Sequence, residues 1–92
     1  MDIQIVDINR TPHGVYYSMT TGKTAMLVSL NTRGAVTTLV QNAANKAWRK
    51  LGRTFHGATA WDDALAAYKS AECRAMIQHV RDAETAVAVA SV

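Results

Sequence analysis

A chain of 92 residues, 49% apolar and 18% charged, has room for one small hydrophobic core, none for a second domain, and too much apolar content for a disordered basic tail. Its single cysteine, Cys73, excludes an internal disulfide framework and fits a reducing compartment, so a cytoplasmic location is expected. The net charge of +3 is ordinary but segregated: residues 8–61 carry seven basic side chains and no acidic one, a distribution that points to a polyanionic partner.

The first half reads as strands. In residues 2–8, Ile3 and Ile5 alternate with Asp2 and Gln4, as in a half-buried strand. Thr11-Pro12-His13-Gly14 breaks the chain. Residues 15–19 form a second strand, Thr21-Gly22 a hairpin signal, and residues 23–30 a third strand. Asn31-Thr32-Arg33-Gly34 is the next turn, followed by a fourth strand over residues 35–41. Connections this short favour an antiparallel meander.

At Asn42 the period changes. Ala44, Ala47, Trp48 and Leu51 recur at helical spacing, with Asn42 suited to the N-cap and Gly52 to the position after the last turn. Residues 53–57 form a connector with room for a short extended piece. Thr59 opens the next helix, with Asp62 placed as in a capping box and Trp61, Ala64, Leu65 and Tyr68 as its apolar stripe. That stripe would run into Glu72. It restarts one position later at Cys73, Met76, Ile77 and Val80, so a break is expected near Lys69-Ser70, with Ser70 capping a new helix. This helix is expected to fray after residues 82–84, leaving residues 86–92 as a tail or an extra strand with Val87 and Val89 on one side. The whole is a single α+β domain over residues 1–92. A four-stranded antiparallel β-meander (1–41) is followed by a helical part (42–85) whose two or three helices pack on one sheet face.

The candidate binding face is basic. Lys46, Arg49, Lys50 and Arg53 lie opposite the Ala47, Trp48 and Leu51 stripe, where phosphates or carboxylates would meet several cations at once. The competing reading is a solvated helix face paired with acids from the C-terminal half. Alternate turns of a meander share one end, so Arg10, His13 and Arg33 could form a second positive patch; Lys23 lies in the turn between them in sequence. Adjacent strand residues face opposite sides, so one of Tyr16 and Tyr17 is core and the other exposed. Trp48 and Trp61 lie on apolar stripes and are expected in the core.

Catalytic patterns are missing from the sequence. His13, His56, His79 and Cys73 are scattered, without metal-ligand spacing. Cys73 sits on an apolar stripe as a small hydrophobe. Gly22-Lys23-Thr24 resembles the end of a phosphate loop, but Tyr17 occupies the position where that motif needs glycine. Asp62 and Asp63 are neighbours on a helix and point apart. The expectation is a non-enzymatic protein without cofactor or metal. No basic segment followed by an apolar run opens the chain, and no apolar stretch approaches a membrane span, so neither a secretory leader nor a membrane partner is expected.

In size and make-up over the whole chain, the protein resembles the small accessory proteins of phages and mobile elements of the anti-CRISPR kind. No motif carries that resemblance, and no residue role is transferred from it. It implies an inhibitor or adaptor that docks on a host nucleoprotein complex, here through the basic face. The alternative is a small nucleic-acid-binding module making phosphate contacts, weakly sequence-specific. A homodimer through the sheet edge or the AVAVASV end is compatible with either.

Overall fold

A computed structural model describes residues 2–41 and 52–90. Strands β1 (Gln4–Thr11), β2 (Gly14–Thr20), β3 (Ala25–Asn31), β4 (Val36–Gln41) and β5 (Arg53–Phe55) precede helices α1 (Ala60–Ala66) and α2 (Ala71–Ala90). The strands form one five-stranded antiparallel sheet in chain order. The α+β class and the meander are as expected. The count of four strands is corrected by β5, which occupies the expected connector. It pairs with β4 through Val36–Phe55, Thr37–Thr54 and Thr38–Arg53, and the Thr37 and Thr54 hydroxyls lie 3.0 Å apart. The helix expected over 42–51 lies outside the described residues.

Strand alternation sorts the side chains. Val15, Tyr17 and Met19 of β2, Met26 and Val28 of β3, and Val36 and Thr38 of β4 are buried on one face. Against them pack Ala60 and Ala64 of α1 and Cys73, Met76, Ile77 and Val80 of α2. The helices thus cover one sheet face, as the sequence requires. Tyr17 is 2% exposed and Tyr16 39%, which resolves the tyrosine pair. Each large apolar side chain so buried contributes about 1.5–3 kcal/mol. Thr38, the buried polar residue in this layer, shares a hydrogen bond of 2.6 Å with the Tyr68 hydroxyl. Trp61 is only partly buried, at the edge of the core.

Local chemistry fixes the joints. The Asn31 side-chain oxygen accepts from the Arg33 and Ala35 amides, both at 2.9 Å, closing the β3–β4 turn. At Gly14 a Cβ would stand 2.4 Å from the Leu30 carbonyl oxygen, so only glycine lets β2 and β3 approach there. The break between α1 and α2 falls at residues 67–70, where Ser70 Oγ accepts from the Cys73 amide at 3.3 Å, as an N-cap does. The Thr59–Asp62 capping box does not form. The Thr59 hydroxyl donates to Asp63 at 2.9 Å and makes no cap bond, while Asp62 accepts from Arg81 at 3.0 Å.

The expected fraying after residues 82–84, and the tail or extra strand at 86–92, are corrected over residues 86–90, which continue α2. Glu84 is tied to the sheet by Arg10 and Tyr17, which holds the helix beyond the point of expected fraying. Each further residue then adds a backbone bond to an existing helix, and Ala86 and Ala88 favour that outcome over a strand. Among the described residues, no helix is long and apolar enough to cross a membrane.

Candidate functional site

The β1–β2 and β3–β4 turns lie together at one end of the sheet, where the Thr32 amide donates to the His13 carbonyl at 3.3 Å. His13 and Arg33 are exposed there, as expected for a shared patch. Arg10 behaves differently. It lies opposite Val15 on the helix-bearing face, and its guanidinium donates two bonds, at 3.1 and 2.9 Å, to the two carboxylate oxygens of Glu84. The Tyr17 hydroxyl donates to the same carboxylate at 2.5 Å.

This cluster joins β1, β2 and α2. The hydrogen bonds from Arg10 hold the Glu84 carboxyl below its ordinary range, against the opposing effect of burial. Burial, reinforced by the bond to Glu84, pushes Tyr17 up to about 12. The Arg10 charge is therefore matched inside the fold, and the second positive patch reduces to Arg33 with His13 beside it. Shallow grooves flank Glu84: one runs between Leu30, Trp61 and the Ala88–Val89 end of α2, the other between Arg10 and the two turns. A carboxylate on an otherwise apolar stripe was the available signal, because Glu84 follows Cys73, Ile77 and Val80 at helical spacing.

Of the primary basic set, Lys46, Arg49 and Lys50 lie outside the described residues. Arg53 begins β5 and is exposed. Among the described residues, neither Arg33 nor Arg53 has an ion-pair partner. β4 ends at Gln41, and Arg53 of β5 stands beside Thr38 of β4.

The acids of the C-terminal half all have partners on the described elements. Asp62 accepts from Arg81 at 3.0 Å and Asp63 from Thr59 at 2.9 Å. Glu72 accepts from Thr21 at 3.0 Å and Thr24 at 2.8 Å, and these bonds, Thr24 first, hold its carboxyl below the usual range. Asp82 accepts from Gln78 at 2.8 Å, and Glu84 is held as described. Cys73 is buried and unpaired with another cysteine. Among the described residues, no three His, Cys, Asp or Glu side chains converge as a metal-ligand set.

Protein-family models, curated proteins and solved structures offer no match to this chain. The site therefore stands on its own geometry. That geometry separates Arg10, committed to an internal carboxylate, from Arg33 and Arg53, which present their charge to solvent.

Proposed function

We propose that this chain is a non-enzymatic binding protein that docks on an anionic macromolecular partner through a basic face. In this reading it acts as an inhibitor or adaptor seated on a nucleoprotein complex, in the manner of the anti-CRISPR proteins it resembles in size and make-up. The face comprises Lys46, Arg49, Lys50 and Arg53, with Arg33 at the turn end of the sheet. Arg10 is left out because Glu84 takes its charge.

The observation that carries this reading is where the acids are. Of the five carboxylates of the C-terminal half, Glu84 and Asp62 are ion-paired with Arg10 and Arg81, while Glu72, Asp63 and Asp82 accept hydrogen bonds from Thr21 and Thr24, Thr59 and Gln78. With two of these charges already neutralised and the other three carboxylates held by hydrogen bonds, an external anion is favoured as the partner of the basic run. Lys46, Arg49, Lys50 and Arg53 are also like charges close together in the sequence, and an anion bound among them relieves their repulsion.

The test is recovery of the affinity-tagged chain from a native lysate, with and without nuclease, beside a Lys46→Glu, Arg49→Glu variant. A stoichiometric protein complex that survives nuclease and is lost in the variant supports docking on a protein or nucleoprotein. Recovery of nucleic acid alone, abolished by nuclease and falling steeply with salt, replaces this reading with direct phosphate binding. A complex unaffected by the charge reversals removes the basic face from the function.

A further inference from the structure

The sheet has two unequal edges. β5 is three residues long, whereas β1 runs for eight and pairs only with β2 among the described residues. An edge strand of that length presents a row of unpaired amides and carbonyls. β1 also carries Ile5, Val6 and Ile8 at 38%, 68% and 45% exposure. Ile5 stands opposite Met19 and Ile8 opposite Tyr17, so both isoleucines extend the buried face sideways. The main helix packing lies elsewhere: α1 packs on β4 and β5, and α2 on β3, with α2 reaching β1 through the Glu84–Arg10 pair.

We propose that β1 is the seam of a homodimer, in which two copies pair β1 with β1 antiparallel about a two-fold axis and continue the sheet from one protomer into the other. Strand pairing fixes where that axis can fall. Residues directly opposite each other must share a sheet face, and the bulge between Ile5 and Asp7 confines regular pairing to residues 7–11. An axis at Asp7 would set two aspartates opposite each other, and an axis at Arg10 two arginines, both unfavourable. An axis at Thr11 would leave almost no overlap within this span.

Ile8 and Asn9 remain. With the axis at Ile8, the two Ile8 side chains meet on the helix-bearing face and each Asp7 faces the partner's Asn9 amide. With the axis at Asn9, each Asp7 faces the partner's Thr11 hydroxyl and each Ile8 lies along the partner's Arg10 stem. Either way, each Asp7 meets a neutral hydrogen-bonding group and no like charges are opposed. A second copy satisfies the open backbone of the paired span and covers Ile8 at the same time. Isologous contacts of this kind close at the dimer. The proposal does not depend on what the basic face binds.

The test is light scattering coupled to size exclusion across a range of protein concentrations, on the wild type, Ile8→Lys and Val89→Lys. The wild type and Val89→Lys should run at twice the chain mass of 10.0 kDa, and Ile8→Lys at that mass with an unchanged circular dichroism spectrum. A wild type that is monomeric throughout, or a dimer that survives Ile8→Lys, overturns the proposal. If Ile8→Lys does not fold, cysteine scanning decides: under mild oxidation, Ile8→Cys or Asn9→Cys should form an interchain disulfide and Val89→Cys should not. Failure of both β1 variants to cross-link also overturns it.

Discussion

Replacing Glu84 by alanine asks how firmly one carboxylate holds α2 to the sheet. Tyr17 is 2% exposed and donates to Glu84 at 2.5 Å. Removing the acceptor leaves a buried hydroxyl without that partner, which costs about 1–3 kcal/mol. The bond from Arg10 adds less, because that side chain is 51% exposed and solvent screens the pair, so its share is at most about 1 kcal/mol. The expected loss for Glu84→Ala is therefore about 2–3 kcal/mol, a fall in Tm of roughly 10–20 °C for a domain of this size. Tyr17→Phe deletes the donor but leaves Glu84 with Arg10, and should cost about 1–1.5 kcal/mol. The double variant should lose less than the sum, by about 1–2 kcal/mol, because both changes delete the same bond. Urea unfolding followed by circular dichroism gives all the terms of this cycle. A Glu84→Ala variant within about 0.5 kcal/mol of the wild type, or strict additivity, would refute the reasoning.

Alkali should act on the same cluster: the native state keeps the Tyr17 proton up to about 12 against an ordinary 10.0. Stability is then fully present below the ordinary value and falls as pH rises toward the native one, by about 2–3 kcal/mol; melts at stepped pH should show this limb, and Tyr17→Phe should flatten it. Gly14→Ala would force a Cβ to within 2.4 Å of the Leu30 carbonyl oxygen, so a loss of about 2 kcal/mol or more is expected in urea unfolding. Ser70→Ala removes the hydroxyl that caps α2, which should cost about 1 kcal/mol by the same assay. Reversing Arg33 and Arg53 together to Glu should leave stability within about 0.5 kcal/mol, while reducing recovery of the partner in the nuclease-treated pull-down.

The parts of the fold readable from sequence are those set by neighbours in the chain. Alternating side chains and turn residues mark β2 to β4, and the one-position slip between Tyr68 and Cys73 marks the break before α2; the half-buried strand expected over residues 2–8 is corrected to β1, Gln4–Thr11, which is exposed through Arg10 and whose alternation a bulge between Ile5 and Asp7 interrupts. β5 was legible only as room for a short extended piece in the 53–57 connector, because three residues carry too little alternation and its place depends on pairing with β4. The end of α2 was obscured because Val87 and Val89 carry a strand-like pattern, while the bonds that settle it come from Arg10, 74 residues away from Glu84. The same long-range pairing divided the candidate cations. Arg10 and Arg33 look alike in sequence, and only the fold commits one of them to a carboxylate.

Three thioethers sit in the core: Met19, Met26 and Met76 are exposed by 1% or less. Peroxide reaches such sulfur atoms only when the sheet and α2 separate, and conversion to the polar sulfoxide then opposes their return. The mass gained by these residues under a fixed dose of oxidant would therefore count openings of the molecule. The chain carries its own chemical recorder of how often its two layers come apart.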